Sequence, residues 1–236
     1  MKKSHISILA IASVVAIISL CSFSIKGNGN VVKEDRVVEA YSGLDISSAF
    51  NVVIVQGDHY SLTVEADENL LPIIETKVKR GVLYISTKEN IRKFEKMNIY
   101  LTFVDIDRME ISGAVDLESR GVINVKELNL DCSGATDVDL SLEVSTFRLD
   151  LSGASDIDLE GRCGMFVIDV SGASDLNAYD MKSNDVHIDA SGASKVKVFA
   201  VSSIKADVSG ASDVSYKGNP STNDITTSGA GDVHKH

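Results

Sequence analysis

The tripeptide Ser-Gly-Ala begins at Ser112, Ser133, Ser152, Ser171, Ser191, Ser209 and Ser228, so copies stand 18 to 21 residues apart across the second half of the chain. A period near 20 residues is the signature of a solenoid, in which each repeat is one coil unable to bury its apolar face alone. The glycine supplies a positive backbone φ, and serine and alanine are small enough for identical corners to stack about 4.8 Å apart. The turn therefore marks one corner per coil.

Registered on that serine, the chain resolves into columns. The residue before it is Ile111, Cys132, Leu151, Val170, Ala190, Val208 or Thr227, and five after it comes Leu117, Val138, Ile157, Leu176, Val196, Val214 or Val233. Polar residues alternate with these, which is strand periodicity with one face buried. Phe147 and Phe166 recur at one inward position and are read as core, and the chain has no Trp to serve as a sugar-stacking platform. The pattern predicts an all-β protein: a right-handed parallel β-helix, a solenoid of about 20 residues per coil, with a β-rich N-terminal section.

Polar columns stack as well. Two residues before the serine stand Glu110, Asp131, Asp150, Asp169, Asp189 and Asp207, closed by Thr226; four after it stand Asp116, Asp137, Asp156, Asp175, Lys195, Asp213 and Asp232. Carboxylates at that spacing repel by up to ~1 kcal/mol in water, a cost that cations or a basic partner would relieve. Asp131, Asp150, Asp169, Asp189 and Asp207, with Asp137, Asp156 and Asp175, are therefore candidate columns for a cation or a basic ligand. Ca²⁺ is the candidate metal, because SGASD shares a glycine followed by Asp with the calcium-binding GGxGxD repeats. It has one glycine only and about twice their period, and an Asp after a small turn also bonds its own backbone. No metal ligand set is assigned. Lys195 and Lys197 interrupt the rows and are read as neutralising adjacent aspartates.

A net charge of -11 argues against nucleic acid and against direct adsorption to anionic lipid. Lys2 and Lys3 precede an uncharged run from Ile6 to Ile25, which reads as a secretory signal over residues 1–24. Ser22 and Ser24 suit ordinary cleavage. Cys21, after Ile18-Ser19-Leu20, resembles an imperfect lipoprotein box and is the candidate lipidation site, with Leu20 where a small residue is usual; a retained anchor is the third branch. Each branch exports the folded part, to the cell surface, the outer membrane or the periplasm, and limits membrane contact to this N-terminal lipid or anchor. Export would permit a Cys132–Cys163 pair, but Cys132 falls in an inward column, and both are read as free thiols.

Residues 25–30 form a Gly/Asn-rich linker, 31–105 a β-rich N-terminal section and 106–236 the SGAS-repeat solenoid. Leu44 to Val52 already carries the later pattern, a degenerate early coil. Asp67 is expected to cap a short helical turn limited by Pro72, and Ile73 to Lys79 with Val82 to Thr87 to form a hairpin about Arg80-Gly81. Lys88 to Lys96 reads as a charged, solvated loop, and His234 to His236 as a frayed tail. The open final edge makes a homo-oligomer plausible.

The five histidines, His5, His59, His187, His234 and His236, are scattered, and no HExxH, GxSxG or CxxC occurs. The carboxylates belong to regular columns, whereas a catalytic site needs an irregularity. The chain is read as a non-catalytic envelope or surface protein, an adhesin for a host-surface or glycan ligand. The other readings are a polysaccharide-active, pectin-lyase-like enzyme and a periplasmic structural or regulatory protein.

SGASD at 152, 171 and 209 and SGASK at 191, together with VEADENLLPII at 64–74, KRGVLYISTK at 79–88 and YKGNP at 216–220, resemble the putative auto-transporter adhesin, head GIN domain family over residues 28–234. The resemblance implies an exported bacterial protein with a fold similar to pectin-lyase-like right-handed β-helices, lacking their catalytic residues, and a role in cell adhesion. It carries over no binding residue. The sequence departs from trimeric adhesins in having no coiled-coil stalk and no C-terminal barrel, so display would need Cys21 lipidation or a partner.

Overall fold

A computed structural model describes residues 24–236; Cys21 and the expected signal segment up to residue 23 lie outside the described residues. Sixteen strands follow in order: β1 Ser24–Lys26, β2 Val31–Arg36, β3 Gly43–Gln56, β4 Ser61–Asp67, β5 Ile74–Lys79, β6 Val82–Thr87, β7 Asn90–Lys93, β8 Met97–Phe103, β9 Arg108–Ser119, β10 Ile123–Gly153, β11 Asp156–Gly172, β12 Asp175–Gly192, β13 Lys195–Val208, β14 Asp213–Lys217, β15 Thr222–Thr227 and β16 Asp232–Lys235. The single helical turn among the described residues is a 3-10 turn, Leu71–Ile73. The chain forms a β-solenoid of about six turns with about 20 residues per turn.

From β9 onward, neighbouring coils pair in parallel with the repeats in register. Gly113 lies opposite Gly134, Gly153 opposite Gly172 and Gly172 opposite Gly192. Close stacking of corners explains the glycine. At Gly192, φ is +88° and a Cβ would sit 2.4 Å from the carbonyl oxygen of Gly172. Between corners, alternate side chains turn inward and meet across the coil. Phe147 and Phe166 are fully buried on successive coils and stack with ring centroids 5.2 Å apart. Cys132 and Cys163 are both free and buried, Cys132 in its expected inward column and Cys163 on β11.

The early copy at Leu44 to Val52 belongs to the stack: β3 pairs with β9, and Ser48, with φ of +105°, lies opposite Gly113. The order of coils in space nevertheless departs from the order in sequence. On its other side β3 pairs in parallel with β6 through Gly43–Ile46 and with β8 through Asn51–Gln56, so β6 and β8 together form a coil outside it. The chain thus runs outward from β3, builds the end of the stack, and returns past β3 to start β9. Antiparallel strands close this end: β4 on β8, β2 on β4, and β5 on β6 in the expected hairpin, whose turn holds Arg80 and Gly81 at positive φ. The outer edges of β6 and β8, the last coil at this end, are thereby covered. Arg36 on β2 ties this cap together by donating to the carbonyls of Leu71 and Ile74 at 2.8 and 2.7 Å.

Three local expectations are corrected. The Asp67 side chain caps no helix; it is buried and accepts from the backbone N–H of Glu95 at 3.2 Å, because it faces the β7–β8 connection rather than the 3-10 turn, which lacks a side-chain cap. The Lys88 to Lys96 stretch contains a strand, β7, which pairs with β1; Lys88 lies 3.6 Å from Glu75 and Lys96 3.4 Å from Glu65. The C-terminal tail is held: β16 pairs with β14, and the His236 N–H donates to the Tyr216 carbonyl.

Candidate functional site

Strand alternation assigns each outward column to a definite wall of the solenoid. On one wall Asp116, Asp137, Asp156 and Asp175 stand in register on successive coils, as their spacing required. Two residues further along the same strands, and so on the same face, Glu118, Asp139 and Asp158 form a second row, with Asn177 next in line. The two rows make a face that is doubly acidic across three coils and singly acidic on the fourth, where Asp175 stands with Asn177. Lys195 and Lys197 close the rows at one end, opposite Asp175 and Asn177. Asn51 and Asn98 border the face at the other end, in line with Asp116.

Few partners neutralise this wall. Arg120 lies 3.4 Å from Glu118, and the Asn177 side chain donates to Asp158 at 2.7 Å. Among the described residues, none of Asp116, Asp137, Asp139, Asp156, Asp158 and Asp175 has a lysine or arginine nitrogen within 4.0 Å. Asp137 sits at the centre of the field. Partial burial, followed by the charges of Asp116, Asp156, Asp158 and Asp139, pushes its carboxyl above the ordinary carboxylate range.

The other acidic column lies on a different wall and has different company. Asp150, Asp169, Asp189 and Asp207 stand in register, continued by Thr226, while Glu110 faces Asp131. Beside this row, two residues back along each strand, run Arg108, Asn129, Arg148, Val167, His187 and Lys205. Cations therefore flank the row, and Arg108 lies 3.4 Å from Glu110. Burial and then neighbouring aspartates still raise Asp150 and Asp169 above the ordinary range.

The structure thus separates the predicted site residues onto two walls. Asp137, Asp156 and Asp175 belong to the unneutralised face, and Asp131, Asp150, Asp169, Asp189 and Asp207 to the wall flanked by cations. The row of Glu118, Asp139 and Asp158 was overlooked in the sequence, although it is the column six after each serine. The basic row is likewise the column four before it. Among the described residues no three His, Cys, Asp or Glu side chains converge as a metal cage. The carboxylates form open rows, a geometry suited to multivalent surface contact. Burial pushes the Cys132 thiol up to about 12 and Cys163 to about 11, which keeps both sulfurs protonated and poorly nucleophilic at neutral pH.

A family model described as "Putative auto-transporter adhesin, head GIN domain" matches residues 40–220. A "putative adhesin" from Bacteroides fragilis is similar in structure, with a TM-score of 0.85 at 22% identity, covering 90% of this chain and 100% of that one. A "putative adhesin" from Parabacteroides distasonis gives 0.72 at 20% identity, over 90% of this chain and 100% of the other. A "putative lipid binding protein" from the same species gives 0.71 at 18%, over 90% and 99%. At these identities the likeness shows a shared fold. Among curated proteins nothing matches.

Proposed function

The chain belongs to the putative auto-transporter adhesin, head GIN domain family, and on that premise we propose that it is a non-catalytic protein of the cell envelope or surface that adheres through the outer walls of its solenoid. The observation that carries this reading is the doubly acidic face, with Asp137 and Asp139 above Asp156 and Asp158 on a lattice fixed by the backbone. Such a lattice engages a repetitive ligand at several points at once, and weak contacts multiply when they are held in register. The complement of this face is cationic: a basic segment of a host-surface protein, or a glycan bridged by Ca²⁺, whose oxygen coordination suits aspartate.

Export through residues 1–24, with retention by lipid on Cys21, is part of the same proposal. The first described strand, β1, pairs with β7 beside the capped end, and β16 closes the opposite end. An N-terminal anchor would therefore leave the repeats projecting away from the membrane.

Adhesion of purified full-length chain, immobilised on beads, to a panel of host cells tests the reading. Changing Asp137, Asp139, Asp156 and Asp158 together to Asn is expected to lower retention at least severalfold with the melting temperature kept or raised. Retention unchanged by that substitution would remove the acidic face from the proposal. No retention of the original chain on any surface would remove adhesion itself.

A further inference from the structure

We propose a second binding surface, of opposite sign, at a corner of the solenoid: a basic ladder that takes acidic polysaccharide laid along the solenoid axis. Parallel pairing between coils places Arg162, Lys182, Phe199 and Lys217 in one column on successive coils. At about 4.8 Å per coil the ladder spans about 14 Å. Arg162 and Lys182 line a groove of about 1050 Å³, beside Asn184 and the half-exposed Val201.

Aromatic rings position two of these cations. The Lys182 ammonium lies 5.9 Å from the Phe199 ring centroid, and that of Lys217 lies 4.1 Å from the Tyr179 centroid. Tyr179 reaches this place because an irregularity in pairing between Ala178 and Lys182 frees it from the ladder; its hydroxyl contacts Ser215, and His236 stacks on the ring at 5.5 Å. Among the described residues neither Lys182 nor Lys217 has a carboxylate within 4.0 Å, and Arg162 has only Glu143, at 4.0 Å. In a chain of net charge -11, Lys182 and Lys217 thus stand without a direct ion-pair partner among the described residues. Screening over about 8 Å at physiological salt lets a nearby anion respond to them rather than to the distant acidic wall.

The shape selects the ligand. A single row of cations that starts in a groove with Arg162 and Lys182 and continues past the Phe199 ring to Lys217 outside it matches a linear polymer that carries acidic groups at intervals and apolar sugar faces. Anionic membrane would call for a broad convex patch, and nucleic acid for a far more basic surface. The rest of the same groove carries Asp105, Asp107, Glu127 and Glu143 against one cation, Lys126, and this acidic excess confines the ligand to the ladder end.

The inference deepens the adhesion reading by naming a ligand class, but its test uses no cells and so can fail or succeed independently. Binding of the full-length chain to polygalacturonate, dextran sulfate, neutral dextran and phosphatidylglycerol vesicles is measured at physiological salt. Lys182→Glu with Lys217→Glu is compared with Lys79→Glu and Lys93→Glu, which makes the same charge change on the capped end. The expected result is binding to one or both acidic polymers and not to neutral dextran, weakened roughly tenfold by the ladder pair and little by the control pair. Polygalacturonate or dextran sulfate as the preferred polymer identifies carboxylate or sulfate as the group read. Milder Gln substitutions at 182 and 217 give a smaller loss and serve if the reversal unfolds the chain. Equal loss in both pairs, no binding to either acidic polymer, or stronger capture by the vesicles would each overturn the proposal.

Discussion

Gly192 and Gly121 hold nearly the same positive φ, +88° and +91°, yet a Cβ on the first would strike the Gly172 carbonyl while one on the second would meet nothing within 4 Å. The pair separates conformational cost from stacking cost. Gly121→Ala should destabilise by about 1–2 kcal/mol, the left-handed penalty alone, and Gly192→Ala by clearly more, read as a shift in urea midpoint at constant slope. Equal losses would show that corner stacking contributes nothing. Asp137 gives a second test at this scale. Its folded-state pKa is raised above the ordinary 3.8, so the native chain binds more protons than the unfolded one between those two values. This contribution to stability is fully present below the unfolded pKa and is lost as pH rises through the raised folded pKa. Asp137→Asn should abolish that share of the slope and, at pH 7 in low salt, stabilise by up to about 1 kcal/mol. The part of the gain that comes from neighbouring carboxylates should fade in ~1 M NaCl, where screening acts over about 3 Å, while the part that comes from burial should persist. A loss of stability at pH 7 would instead assign the carboxylate a structural role.

At the scale of the element, coils hold one another through columns of like side chains. Phe147 and Phe166 are each expected to cost about 3–5 kcal/mol on change to Ala, because the corner glycines and continuous ladders leave the wall little freedom to collapse. A double-mutant cycle should show coupling of about 0.5–1.5 kcal/mol between the two rings; additive losses would mean that they pack on the wall and not on each other. Their inward place was legible from period alone, as were the column at Asp137 and the early copy at Leu44 to Val52. The order of the coils was not. Nothing in the pattern of Val82 to Thr87 or Met97 to Phe103 distinguishes a strand that stacks beneath β3 from one that stacks above it, since both present the same alternation. Asp67 misled for a related reason. An Asp before a short turn looks like a cap, but the N–H groups that it accepts come from distant segments, Glu95 and Gly29. The acidic wall was half legible: one row was found by registration, while the asymmetry between walls depends on which columns share a face with Arg148, His187 and Lys205.

For the whole molecule, one end is covered by antiparallel strands and an Arg36 clamp, and the other finishes in β16 on β14 and in β15 on β13, the residues of β15 all exposed. Between them lie a doubly acidic wall, a wall where acidic and basic rows run side by side, and a basic corner. A rigid stack with chemically distinct sides is a scaffold for presenting repeated groups, and that presentation has meaning only where a partner can reach it. Exposure of the repeats on the cell is therefore the central claim. Protease shaving of intact cells that make the full chain, followed with an antibody to residues 105–236 and a lysed-cell control, tests it directly. The signal is expected to be lost from intact cells while a cytoplasmic marker survives. Protection of the repeats until lysis would contradict that claim and place the solenoid inside the envelope.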